Sequence, residues 1–197
     1  MITREKFDFI LEKYGHWASW AVWAEQEPNK PKSNLGDLTI LDPQKNKSLL
    51  EQINPNVVIV ALNFSDGAVK FPLGNFHDDN PAGTAFKLRY AIKNTSLWGG
   101  YLTDIIKDYD QKEAGKVVSY LRSNKLIERK NVEIFREELK DLGSEHPIII
   151  ALGNAAYDIL KINLGEEYEI LKVSHYAAFI NKEKYKEKIH NLLNLLF

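Results

Sequence analysis

The sequence predicts an α/β protein, a three-layer α/β/α sandwich around a central, mostly parallel sheet of four strands. Three observations carry this. Four short apolar runs are spread along the chain: "VVIVAL" (57–62), "GYLTDI" (100–105), "PIIIAL" (147–152) and "YEILKV" (168–173). Two of them are nearly unbroken Val and Ile, the pattern of strands covered on both faces. Helical patterns separate the runs, and strand alternating with helix is the signature of parallel pairing through right-handed crossovers.

The elements follow in chain order. Residues 3–25 read as a helix, because Phe7, Ile10, Leu11 and Tyr14 recur at helical spacing and Trp17, Trp20 and Trp23 continue it. Gly15 marks a kink or break. The Trp stripe reads as core on one helical face, a base-stacking platform being the other reading. Pro28 to Gly36 is a loop rich in breakers. Leu38 to Leu41 reads as a short strand, and a helix fits "QKNKSLLEQI" after Pro43. Further helical patterns lie near 84–94, 111–123, 131–142 and 154–163, and a last one over 182–195. The 63–84 connection is long and rich in Asn, Asp, Gly and Pro, as functional loops are. Residues 1–197 thus form a single α/β domain, with 1–50 as a helical N-terminal extension.

Composition narrows the function classes. The chain has 197 residues, 44% hydrophobic and 27% charged, enough to bury a core and unlike a disordered tail. No apolar run approaches the roughly 18 to 20 residues of a membrane span. The start "MITREKFDF" lacks the apolar stretch of a signal peptide, so a cytoplasmic location is the expectation. The absence of cysteine excludes disulfides, thiolate nucleophiles and Cys-ligated metal centres. The formal charge of −1 does not suggest a strongly basic nucleic-acid binder. Lys87, Arg89, Lys93 and Lys107 are candidates for a local basic patch, scattered solvated side chains being the alternative. There is no GxGxxG after the first main strand, no GxxxxGK[ST] and no GxSxG.

Ligands of open parallel sheets bind beyond the carboxyl ends of the strands. Each strand run here ends in polar residues: Asn63 and Ser65 after the first, Thr103 and Asp104 in the second, Gly153 and Asn154 after the third, Ser174, His175 and Tyr176 after the fourth. Structural roles stand beside functional ones. Asn63 suits a turn cap, Gly153-Asn154 a helix start, Asp104 a pair with Lys107 and His175 a buried imidazole. His77-Asp78-Asp79 is a metal-ligating composition, although adjacent side chains diverge.

The ordered set of motifs resembles the uracil-DNA glycosylase superfamily. "VVIVALNFS" (57–65) resembles its first motif, a buried strand running into the catalytic loop. "NFHDDNPAGTAFKLRYAI" (75–92) resembles the following loop and helix, with Phe76 nearest the base-stacking Phe of one branch. "YLTDIIK" (101–107) resembles the strand end that reads the base, with Asp104 where the family has Asn. "IIIALGNAAYDIL" (148–160) resembles the strand-to-helix turn, and "VSHYAAF" (173–179) falls where the family has His-Pro-Ser. The resemblance covers roughly 57–180, and residues 1–50 have no counterpart in it.

The resemblance implies hydrolysis of an N-glycosidic bond on a base drawn out of the DNA stack, without cofactor or metal. It makes Asn63 the water-positioning residue and His175 the donor to the departing base. Phe64, Phe76 and Asp104 would contact the base, while Ser65, Gly153, Asn154 and Ser174 would hold phosphate or backbone. The partner is then DNA or a nucleotide or base ligand. Phe64, Tyr176 and Ala177 depart from the family's Pro, Pro and Ser. Asp104 departs most, because an ionised carboxylate only accepts hydrogen bonds, which suits exocyclic amino groups. Protonated, it donates, and uracil is readable again. A non-catalytic base- or nucleotide-binding module and a small-molecule hydrolase on the same fold are the other readings.

Overall fold

The computed structural model describes residues 2–25, 37–63, 71–77, 83–107 and 109–194. Its sheet has five strands: β1 (Ser19–Trp20), β2 (Asn54–Asn63), β3 (Gly100–Ile106), β4 (Ile148–Leu152) and β5 (Ile170–Val173). Their order is β1-β3-β2-β4-β5. β2 to β5 run parallel, and β1 pairs antiparallel with β3, Trp20 opposite Tyr101. The sheet is therefore mixed and five-stranded, one edge strand more than the sequence predicts.

The four parallel strands fall where the apolar runs are. Alternation along β2 explains why that run is continuous. Val58, Val60 and Leu62 belong to one buried cluster, Val57, Ile59 and Ala61 to the other. Helices cover both faces. The first cluster takes Phe7, Ile10 and Tyr14 from α1 (Arg4–Tyr14), Val132, Phe135 and Leu139 from α5 (Lys125–Leu142), and Ile159 and Leu160 from α6 (Asn154–Leu164). Short α2 (Leu49–Gln52) and α4 (Ala114–Ser123) lie on this side too, through Leu49, Val117 and Leu121. The second cluster takes Leu88, Ala91 and Ile92 from α3 (Phe86–Ile92) and Tyr185 and Ile189 from α7 (Lys182–Leu193).

Several N-terminal expectations are corrected. The helix expected over 3–25 ends at Tyr14. Thr3 caps its start, accepting from the Lys6 N–H, and Gly15 ends it. Beyond Gly15 the period changes to two. Ala18, Trp20 and Val22 face the first cluster, Ala21 and Trp23 the second. The Trp stripe is therefore not one helical face but two sides of a strand edge, with Trp20 and Trp23 both buried. The expected strand Leu38–Leu41 is a 3₁₀ helix, capped by Asp37 accepting from the Thr39 N–H and hydroxyl. The helix expected after Pro43 shrinks to α2. The Pro28–Gly36 loop lies outside the described residues. The segment 4–23 supplies core side chains and an edge strand to the sheet.

Gly99 shows how tightly this edge is fitted. Its φ is +80°, and an added Cβ would lie 1.8 Å from the Gln52 carbonyl oxygen. Its own N–H donates to the Ala21 carbonyl (3.0 Å), and its carbonyl accepts from the Asn54 N–H (2.9 Å). A side chain has no room there.

Candidate functional site

The strand order places a topological switch point between β2 and β4. From β2 the chain crosses one way to β3, then returns over β2 to β4 on the other side. Crevices open at the carboxyl ends of such strands. Asn63 ends β2, and Gly153 follows β4 with φ +94° before α6 begins. Val60 pairs with Ala151, and Leu152 with Val173. β4 ends at Leu152 and β5 at Val173, so Asn154 opens α6 and His175 lies two residues beyond its strand, past the same edge of the sheet that Asn63 ends. A Cβ on Gly153 would sit 3.5 Å from the His175 Cβ.

Alternation also decides the face. Ala61, Leu102 and Val173 point into the second cluster. Asn63 and Asp104 follow Ala61 and Leu102 by two residues within their strands, which puts both on the α3/α7 face, whereas His175 lies beyond the end of β5. Asp104 is register-paired with Ala61.

Each side chain is held in its own way. The Asn63 amide nitrogen donates to the carbonyls of Tyr109 (2.8 Å) and Gln111 (2.9 Å). Two carbonyl partners fix which end of the amide is nitrogen. The His175 Nδ1 accepts from the Ala177 N–H at 3.1 Å. Burial pushes its pKa down from 6.5 to about 4. The ring is therefore neutral at pH 7, and because Nδ1 accepts, its proton sits on Nε2. A turn two residues long has selected the tautomer.

Asp104 is buried, 3% exposed, and accepts from the Asn75 amide at 2.8 Å. The same Asn75 nitrogen donates to the Trp17 carbonyl (2.7 Å). Burial raises the Asp104 pKa from 3.8 to about 6, against the Asn75 hydrogen bond and the Lys107 charge. Between those values the folded chain holds a proton that the unfolded chain has released. Stability from this group is full below about pH 3.8 and is lost as pH rises through about 6. The difference corresponds to something on the order of 3 kcal/mol. Asp104→Asn is therefore expected to gain on wild type when urea midpoints are compared at about pH 7.5 and about pH 4.5. An unchanged gap between the two proteins would refute the raised carboxyl.

The remaining residues divide. Phe76 is 7% exposed and packs in the second cluster, so its ring is core rather than a platform. Its φ of +65° is held by the Asn75 side-chain oxygen on its N–H and by the Trp23 indole on its carbonyl. Asn154, Ser174, Lys172 and Lys188 line a cavity of about 360 Å³, and Lys188 donates to the Ser174 hydroxyl at 3.0 Å. Phe64 and Ser65 lie outside the described residues, as do Asp78 and Asp79. Among the described residues no group of three His, Cys, Asp or Glu side chains is placed to hold a metal. His77 is buried against the Trp23 ring instead.

The basic patch does not form. Lys107 is buried against Glu138, Arg89 is buried in α3, Lys87 donates to the Ala178 carbonyl and Lys93 pairs with Glu25. Lys107 and Asp104 do not form the expected side-chain pair. The Lys107 ammonium bonds the Asp104 carbonyl and, at 2.9 Å, the Glu138 carboxylate.

Sequence reasoning missed two features here. One is Glu138 itself, wholly buried, where Trp17 (2.7 Å), Tyr101 (3.2 Å), Thr103 and Lys107 all donate. This cluster is closed to solvent and is structural. The other is Phe179, fully exposed on the loop that carries His175. Its signal was an apolar residue in a segment with no strand or helix pattern.

Among the described residues no helix is long and apolar enough to cross a membrane. Comparison with protein-family models, curated proteins and solved structures yields no match.

Proposed function

We propose that this chain is a base-recognising protein of uracil-DNA glycosylase type, which hydrolyses the N-glycosidic bond of an extruded, uracil-type or deaminated base in DNA. The observation that carries the reading is the His175 ring. It is neutral, its tautomer is set by Ala177, and it follows the end of β5 by two residues. A neutral, preorganised donor suits a departing base anion, because it stabilises developing charge without prior loss of a proton. In this reading Asn63, held at the end of β2 by two carbonyls, positions the attacking water. Lys172 and Lys188, which line the cavity with Ser174, supply charge for a phosphate, and the exposed Phe179 four residues after His175 offers an apolar group to a base.

The test uses oligonucleotides, single- and double-stranded, carrying uracil, hypoxanthine or a mismatch, scored for alkali-labile abasic sites. His175→Ala is expected to slow excision by about 10²–10³-fold, and Asn63→Ala to slow it as well, with circular dichroism unchanged. No abasic site on any of these substrates would overturn the catalytic reading.

A second reading is a non-catalytic nucleotide- or base-binding module. Asn63 favours it by tying down residues 109–111, and Phe76 by lying in the core. It predicts ligand-induced thermal shifts without abasic sites.

A further inference from the structure

The cavity of about 360 Å³ beside β5 carries a charge that none of its lining residues cancels. β5 gives it Lys172, the residue after β5 gives Ser174, α6 opens on it with Asn154, and α7 gives Lys188 and Asn191. Lys188 and Asn191 stand three residues apart on α7 and so share a helix face. No carboxylate is among the lining residues.

Lys13, Lys93, Lys116 and Lys125 each reach a carboxylate at 2.6 or 2.7 Å. Lys172 and Lys188 are held by neutral groups instead. The Lys172 ammonium sits 4.8 Å over the Tyr157 ring, and the Lys188 ammonium donates to the Ser174 hydroxyl at 3.0 Å. Among the described residues no carboxylate pairs with either. A ring face and a hydroxyl fix where an ammonium stands without cancelling its charge. Two placed cations, a hydroxyl and two amides then border one hollow, a donor set for an oxyanion.

The charge count chooses the anion. A phosphate within a nucleic-acid strand carries one negative charge. A phosphate monoester carries about −1.5 to −2 at pH 7 and offers three acceptor oxygens. Against two ammoniums the monoester leaves little charge over, whereas the diester leaves a whole one. We infer that this cavity binds the phosphate monoester of a nucleotide in preference to the diester within a strand. Ligand cavities start at roughly 300 Å³, so this one takes a phosphate with its sugar rather than a length of strand. Nucleotide as ligand rests on the reading proposed above; the preference for the monoester rests on the two lysines.

The side-chain amide signals of Asn154 and Asn191 in ¹⁵N-labelled protein report on the cavity directly. Methyl phosphate, a monoester, is expected to move both saturably. Dimethyl phosphate, a diester, should bind at least about tenfold more weakly, because it forgoes one charge-assisted contact. Lys172→Gln and Lys188→Gln should each weaken methyl phosphate by about tenfold. Lys182→Gln, exposed at the opposite end of α7, should leave its affinity unchanged. A DNA strand bearing a 5′-phosphate, the same strand without it, and AMP are then compared, and the tighter of the phosphorylated strand and AMP identifies the source of the monoester. No saturable shift with methyl phosphate would overturn the proposal. So would dimethyl phosphate binding as tightly as methyl phosphate, affinity indifferent to both lysine variants, or an unphosphorylated strand binding as tightly as AMP and the phosphorylated strand. Excision and monoester binding fail separately, since abasic sites score the first and amide shifts the second.

Discussion

Replacing Glu138 by alanine is expected to cost about 3–5 kcal/mol of stability, the largest single effect foreseen for this chain. Both partners of the Lys107–Glu138 pair have fully buried side chains. Removing the carboxylate leaves an ammonium with Thr103 and the Asp104 carbonyl as its remaining partners. It also takes an acceptor from Trp17, Tyr101 and Thr103 at once. Each buried donor so stranded costs about 1–3 kcal/mol by itself. The double replacement Glu138→Leu with Lys107→Met is the informative control, because it removes both charges. It should recover much of the loss, since an apolar pair of similar size often substitutes for a buried ion pair. Urea denaturation of the three proteins measures this. A Glu138→Ala midpoint equal to wild type would mean that the cluster admits water.

Acid should unfold this protein through its buried imidazoles. His77 is 7% exposed, and burial with the nearby Arg89 charge lowers its pKa from 6.5 to about 4, against a hydrogen bond with the Trp20 carbonyl. In the unfolded chain the ring takes up a proton as pH falls below about 6.5; in the folded chain it resists until about 4. Its contribution is thus fully present above about pH 6.5 and is lost as pH falls through about 4. That loss is on the order of 3 kcal/mol for His77 alone. His175 acts with the same sign in the same window, and its partial exposure makes its share smaller. Asp104 works against both. His77→Gln should flatten the fall in stability between about pH 6.5 and about pH 4. A titration by NMR showing the wild-type ring protonating near 6.5 would remove the basis for this expectation.

The parts of the fold legible in the sequence were those whose pattern has one physical cause. β2 and β4 are covered on both faces, so Val57–Leu62 and Ile148–Leu152 carry no polar interruption and stand out. β1 was hidden because Trp17, Trp20 and Trp23 fall at helical spacing by coincidence. Only the sides taken by Ala18, Trp20 and Val22 against Ala21 and Trp23 reveal the strand edge. Glu138 was hidden for another reason. A glutamate in an otherwise charged helix reads as solvated, and its partner Lys107 lies 31 residues away. At the candidate site, the strand ends were legible and the state of the side chains was not. Asn63 and His175 follow apolar runs, but the tautomer of His175 depends on a turn that brings the Ala177 N–H to Nδ1. The packing of Phe76 was hidden because nothing local marks its left-handed backbone or the Trp23 indole that holds it.

Asn75 gives the opening residues an unexpected reach. One nitrogen grips the Trp17 main chain and the Asp104 carboxylate together. Any change at that carboxylate must be felt by this clasp. The anchorage of the segment around Trp17 and the state of the Asp104 carboxyl therefore draw on the same amide, and proteolytic nicking near Gly15 would report, from outside, on whether that carboxyl is still held.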